Sequence, residues 1–311
     1  MKLLYLPLVV NGLIYANEQI YLAKAFSKKF EVEIFDFYNE NGHRGNKLLE
    51  IVQSFKPDVI HCQFQGTREI DPYILKLIKI SYPKTIITQW TGDVRTEPIS
   101  QMVEYGQYCD ITFVCGKSLI KQYQDAGLAD VRYWQNAVDK SQIGKPSKNH
   151  KGIVFCGGRY TTFPQSQERI DLIERFMKFS DFSVYGMGWE TPAKLLDWNK
   201  QTELYQKSYL ILGHNNVGGI EWWFSDRHII AMASGRPHLC QYSPKLEELF
   251  EDGKECVFWR TIDEAVEKAH WLLKNPKIAT EIGIAGQKKV LKEYLWDTRV
   301  KEYIKEIKCL L

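Results

Sequence analysis

At 311 residues the chain suits two domains of about 150 residues better than a single core. Its 44% apolar and 25% charged content is that of a well-packed globular protein. The net charge of +3 is spread evenly, with 18 Lys and Arg against 16 Asp and Glu in residues 1–150 and 23 against 22 in residues 151–311. No basic block marks a dedicated nucleic-acid binder, although brief contact with a nucleic acid stays open.

The first residues, MKLLYLPLVV, look superficially like a signal peptide. The apolar run is short, no small-x-small cleavage site follows, and Asn11-Gly12 comes at once, so a first buried strand explains it better. No stretch approaches the roughly 20 apolar residues of a membrane span. Alternation continues from there. Strand Leu3–Val10 is followed by a helix around Ile20–Phe26, strand Val32–Phe37 and a helix Leu48–Phe55 that stops before Lys56-Pro57. Next come strand Val59–Cys62, helix Tyr73–Ile80, strand Thr85–Gln89, helix Ile99–Tyr105, strand Asp110–Cys115, helix Ser118–Ala126 and strand Val131–Trp134. This order predicts right-handed βαβ units and a doubly wound sheet.

Residues 139–151 (DKSQIGKPSKNHK) are polar and Lys-rich and read as a linker. A second α/β series runs from strand Gly152–Cys156 to helices Ile262–Leu273 and Lys277–Tyr294, with an amphipathic segment Thr298–Leu311 at the end. The expected domains are 1–145, 146–296 and a C-terminal helix 297–311 returning to the first. Two such domains would face each other across a cleft at the carboxyl ends of their strands, where ligands bind. The seven cysteines are scattered, mostly in apolar runs, with no CxxC, and read as reduced buried thiols of a reducing, cytoplasmic compartment.

Four loops of the second half carry chemistry. Gly157-Gly158-Arg159-Tyr160 follows a strand and offers close backbone approach plus a guanidinium fork for phosphate. Tyr185-Gly186-Met187-Gly188-Trp189 leaves room for a flat base. His214-Asn215-Asn216-Val217-Gly218-Gly219 leaves another strand end. Ser225-Asp226-Arg227 opens a helix, and either Ser225 or Asp226 suits its cap. A cation in a first turn opposes the helix dipole unless an anion bridges the two, so Arg227 is the strongest candidate. In the first half, Asp93 after a strand end could orient or deprotonate an acceptor hydroxyl, or simply form a turn. His61, Gln63 and Gln65 lie at another strand end, and Asn11, Gly12 and Tyr15 form a further loop.

The pieces FCGGRY, VYGMGW, FSDRHIIAMASGRPHL and LEELFEDGKECVFW, with the helix pair that follows, resemble the C-terminal domain of GT-B glycosyltransferases of the family 4-like and CgeB-type groups. The first half resembles them more loosely. The resemblance implies sugar transfer from a nucleotide-diphosphate sugar, with a UDP-sugar favoured, to an acceptor hydroxyl. Arg227 and Arg159 would face the donor diphosphate, Tyr185–Trp189 the base and His214–Gly219 the sugar and phosphates. Together with the reading of the strand-end loops, this makes Arg227, Arg159, Asp93 and His214 the catalytic candidates. Gly158, Tyr160, Tyr185, Gly186, Met187, Gly188, Asn215, Asn216, Gly218, Ser225 and Asp226 go to the donor, and Asn11, Gly12, Tyr15, His61 and Gln63 to the acceptor. No metal or other cofactor is implied, in keeping with the absence of a DxD motif. The acceptor could be a glycan, a lipid-linked sugar, a protein or a hydroxymethylated base in phage-type DNA. Two departures stand out: Ile230 occupies the position where these enzymes carry a ribose-binding glutamate, and no lysine follows Arg159. A sugar-nucleotide epimerase on the same double plan is the alternative enzyme. A periplasmic sugar-binding protein would carry the export signal not found here.

Overall fold

The computed structural model describes every residue except 11–12, 15–18, 41, 65–69, 147, 149, 190–199 and 311, and the side chains of 9–10 and 13–14 are also outside the description. The chain forms two compact units, Met1–Asn136 with Trp296–Leu311, and Ala137–Leu295.

In the first unit, β1 (Lys2–Leu6), β2 (Val9–Val10), β3 (Leu13–Ile14), α1 (Tyr21–Ser27), β4 (Glu31–Ile34), α2 (Arg44–Phe55) and β5 (Val59–Cys62) come first. They are followed by α3 (Tyr73–Ser81), β6 (Ile86–Thr91), α4 (Ser100–Gly106), β7 (Ile111–Val114), α5 (Leu119–Asp125) and β8 (Val131–Tyr133). Six parallel strands pair in the order β4-β1-β5-β6-β7-β8. Strands β5, β6 and β7 are buried along their whole length, including the polar His61 of β5 and Thr88, Gln89 and Thr91 of β6. The expected strand Leu3–Val10 is shorter. Pro7 brings no N–H to the ladder, β1 ends at Leu6, and Val9–Val10 pairs antiparallel with Leu13–Ile14 instead.

His61 and Gln63, expected to face an acceptor, belong to the interior of this unit. Both are fully buried. His61 Nδ1 lies 2.8 Å from Thr88 Oγ1, which lies 2.7 Å from the Tyr303 hydroxyl of the terminal helix Trp296–Lys308. The imidazole packs edge-on to Tyr303 and Phe26 at 5.1 and 5.4 Å. Gln63 Oε1 accepts from the Tyr5 hydroxyl at 2.5 Å. A group sealed this way supports the sheet and has no face left for substrate. Gln65, Asn11, Gly12 and Tyr15 fall outside the described residues.

Burial lowers His61 to about 3 and His214 and His238 to about 4. The unfolded chain takes up these protons near pH 6.5 and the folded chain does not, so stability falls as pH drops from 6.5 towards 4. Wild-type melting temperature should therefore decline across that window. His61→Phe should decline less steeply, because one titrating group is gone; parallel curves would contradict this account of the buried imidazole.

The second unit contains β9 (Ile153–Cys156), α6 (Ser166–Phe176), β10 (Phe182–Tyr185), α7 (Gln201–Lys207), β11 (Leu210–Gly213), α8 (Asp226–Ala233) and β12 (His238–Gln241). It ends with β13 (Val257–Trp259), α9 (Ile262–Lys274) and α10 (Pro276–Glu293). All five strands are parallel, in the order β10-β9-β11-β12-β13. One face of the sheet buries Leu172, Ile173 and Phe176 of α6 with Ala265, Ala269 and Leu272 of α9. The other buries Ile229–Ala233 of α8 with Val290 and Tyr294. The start of the polar stretch, residues 139–144, is anchored within this unit. Asp139 caps a short 3-10 turn by accepting from Ser141 N–H at 2.9 Å, and Gln287 donates to the Gly144 carbonyl at 2.7 Å. Its polarity reflects these caps as well as solvent.

Candidate active site

The carboxyl ends of β9, β10 and β11 carry the glycine-rich loops of the second unit. The loops after β9 and β10 extend the strand pairing: Gly157 N–H donates to Tyr185 O at 2.7 Å and Arg159 N–H to Met187 O at 2.9 Å. Trp189 Nε1 donates to Gly157 O at 2.8 Å. Gly186 has φ +142°, and a Cβ there would lie 2.3 Å from Gly157 O, so only glycine lets the two loops meet. Tyr160 and Met187 stand largely exposed on this pair of loops. The Arg159 side chain is half-buried and has no hydrogen bond or ion pair among the described residues.

Arg169 is the residue sequence reasoning missed. It lies in the first turn of α6 and is 1% exposed. Its guanidinium donates to Gly158 O at 3.0 Å, to His214 O at 2.9 Å and to His214 Nδ1 at 3.3 Å. All three acceptors are neutral. Burial, reinforced by the charge of Arg227, lowers Arg169 to about 9. A charged side chain so enclosed without a carboxylate is expensive unless something anionic shares its field. A signal was present in the sequence: Arg169 sits on the buried stripe of α6 with Leu172, Ile173 and Phe176, at i, i+3, i+4 and i+7.

Arg227 opens α8 from the other side. Ser225 is the N-cap in extended conformation, yet neither it nor Asp226 makes a side-chain cap hydrogen bond, contrary to the expected capping role. His228 N–H turns back to Ser225 O at 3.0 Å, which leaves the N–H groups of Asp226 and Arg227 without a side-chain cap. Asp226 Oδ1 is 3.8 Å from Arg227 Nη1, an ion pair without a hydrogen bond. The guanidinium borders a cavity with His214, Asn215, Cys156, Tyr205 and Ser225, and its field reaches Arg169 and His214.

The β11 loop is held from beneath. Asn215 N–H donates to Gln241 Oε1 at 2.9 Å, and Gln241 Nε2 donates to Glu168 Oε2 at 3.0 Å. Asn216 O accepts from Gln165 N–H at 3.1 Å, and Gly218 lies against the Gln165 amide. His214 is 3% exposed and lowered to about 4, first by burial, with Glu168 opposing and Arg169 and Arg227 assisting. The structure thus brings Arg227, His214, Asn215, Ser225 and Asp226 together, and sets Gly158, Tyr160, Tyr185, Gly186, Met187 and Gly188 on the adjoining loop pair. Asp93 belongs to the first unit, where its carboxylate pairs with Arg95 at 3.2 Å and its N–H donates to Thr91 Oγ1.

Among the described residues, His228, Cys240 and Cys256 bring three buried potential metal ligands within 4.8 Å. Burial keeps His228 neutral and the Cys256 thiol protonated, and Phe224 and Phe250 pack on the imidazole, so the group is part of the core under α8.

Residues 167–305 match the model of a family described as glycosyl transferase-like. The chain is also similar in fold to sucrose-phosphate synthase from Thermosynechococcus elongatus, with a TM-score of 0.71 and 9% identity over 99% of this chain and 98% of that one. The chain has the GT-B fold. HepE from Anabaena, solved in complex with UDP and glucose, is similar over 99% of this chain and all of its own, with a TM-score of 0.69 and 14% identity. No curated protein matches the chain in sequence. The glycosyl transferase-like match takes in α6, the β11 loop and α8, and so contains Arg169, His214 and Arg227. No helix among the described residues is long and apolar enough to cross a membrane.

Proposed function

We propose that this enzyme moves a sugar from a uridine diphosphate sugar to an acceptor hydroxyl without a divalent metal, in a reducing cytoplasm. The observation that carries it is the pair Arg169 and Arg227, two guanidinium groups within each other's field at a set of strand ends, with no carboxylate on the buried one. A diphosphate supplies the missing negative charge. As the glycosidic bond breaks, the charge growing on the leaving diphosphate meets Arg227, the buried field of Arg169 and the uncapped N–H groups of α8. These donors are fixed before reaction, so no reorganisation is needed when the charge develops. HepE, similar over its whole length, is solved with UDP-glucose, which favours uridine in the donor.

Arg159, Tyr160 and Tyr185–Gly188 suit the base and outer phosphate side, and Asp93 remains the candidate base for the acceptor. The even charge split favours a glycan hydroxyl over a hydroxymethylated DNA base. The epimerase alternative has the weaker support of a UDP-N-acetylglucosamine 2-epimerase-like structure from Listeria monocytogenes, similar in fold with a TM-score of 0.61 and 14% identity. The test is incubation with a panel of UDP-sugars and glycan acceptors, with and without chelator. Acceptor-dependent UDP release that survives the chelator is expected. UDP release that ignores the acceptor, or stops with the chelator, would overturn transfer or metal independence respectively.

A further inference from the structure

Metal-ligating side chains gather beneath the start of α8. One ring nitrogen of His228 and the thiols of Cys240 and Cys256 lie within 4.8 Å of one another, all three residues buried. Cys240 of β12 stands in register with Phe258 of β13, so Cys256, two residues before Phe258, shares its face of the sheet. His238, two residues before Cys240, faces the same way, and its ring is 4.9 Å from that of His228. Gly213 leaves the room for it, because a Cβ there would lie 2.6 Å from the His238 ring.

The donor set is that of a thiophilic divalent ion. Two thiolates cancel its charge and a neutral imidazole adds a third bond, so the centre as a whole is neutral, as an apolar core requires. Burial keeps His228 and His238 neutral. His238 Nδ1–H donates to Ile211 O at 3.1 Å, which fixes its tautomer and leaves Nε2 with the free lone pair. His228 Nε2 is buried with no protein partner. The carboxylates of Asp252 and Glu255 act on Cys256 and favour a cation beside it. An entry path is present as well: His228, His238 and Cys240 line the cavity that Arg227 borders.

We propose that His228, Cys240 and Cys256 bind one thiophilic divalent ion of the zinc class, and that the bound ion weakens the hold on the donor. Each thiol gives its proton to solvent as its sulfur–metal bond forms, two protons per ion. A tetrahedral ion dictates where its ligands stand, so it moves the His228 ring from its seat against Phe224 and Phe250. Arg227 directly precedes His228 on α8 and shifts with it, and a charged contact misplaced by about 1 Å loses most of its value. The ion is an inhibitor and not a cofactor. The binding site stands on its own geometry; the inhibition rests on the donor reading above.

The test titrates cadmium into the full chain carrying Cys309→Ala, which removes the exposed thiol, and reads the thiolate-to-metal absorption band. One ion per chain should bind, and zinc should displace it. Cys240→Ala and Cys256→Ala should each weaken binding about a hundredfold or more. Cys256→Val, which fills the space of the thiol, should show the same loss with an unchanged melting temperature, so that a packing defect is not the cause. No band, or a band that survives in both alanine variants, would overturn the site. Saturating zinc should weaken UDP binding about fivefold or more in the parent chain but not in Cys256→Ala, the variant that also corrects for zinc held by UDP itself. UDP binding that zinc leaves unchanged would overturn the inhibition. A parent chain that binds no UDP in the absence of any ion would instead defeat the donor reading, while the cadmium band still decides the site.

Discussion

Arg227→Ala should lower sugar transfer at least tenfold while leaving the fold intact. One lost charged contact to the departing diphosphate is worth about 1.4 kcal/mol or more in the transition state. In the folded protein Arg227 has little to lose: its acidic neighbour Asp226 lies 3.8 Å away, and both side chains keep a quarter of their surface. A partly exposed pair at that distance adds almost nothing to stability. Arg169→Met behaves differently. It removes three buried hydrogen bonds and leaves Gly158 O and His214 O without a donor, so both melting temperature and turnover should fall. The contrast is diagnostic: Arg227 acts on the reaction, and Arg169 on the reaction and on the loops that shape the site. Turnover unchanged in Arg227→Ala, measured with the donor saturating and again below KM, would take this residue out of the mechanism.

Gly186→Val should cost about 3 kcal/mol or more, seen as a melting temperature lower by on the order of 10 °C. The φ of +142° is one that valine cannot hold without strain, and the added Cβ would meet the backbone of Gly157 at 2.3 Å, where no flexible side chain can yield. To relieve the clash the β9 and β10 loops must part, breaking the bonds from Gly157 N–H to Tyr185 O and from Arg159 N–H to Met187 O. Donor binding should weaken with it. Gly219→Ala is the control, since Gly219 also has positive φ (+76°) but has open space where the Cβ would go. Its cost should be nearer 1 kcal/mol. Similar losses in both variants would mean that conformation alone matters, not the approach of the two loops.

Most of the architecture was legible because buried parallel strands announce themselves as apolar runs and their helices stop at glycine or before proline. Helix α2 ends at Phe55, ahead of Lys56-Pro57, as read. Where a single residue alters the ladder, pattern alone was less sure, as Pro7 shows at the end of β1. The site was legible in part. Arg227 drew notice because a cation in a first turn is chemically odd, and the structure sets it beside His214. Arg169 escaped because an arginine on an apolar stripe is easily taken for a surface residue at the edge of a helix. His61 misled for the opposite reason: a polar residue at a strand end suggests a ligand, yet here it meets the terminal helix, some 240 residues on, through Thr88 and Tyr303. Such a partner cannot be foreseen from local sequence.

The most direct measurement compares uridine with UDP in calorimetric titrations of the wild-type protein at low and moderate salt. If Arg169 and Arg227 hold a diphosphate, UDP binds at least a hundredfold more tightly than uridine, and the advantage narrows as salt rises. Equal affinity for the charged and uncharged ligand, or no binding of UDP at any salt, would contradict the account.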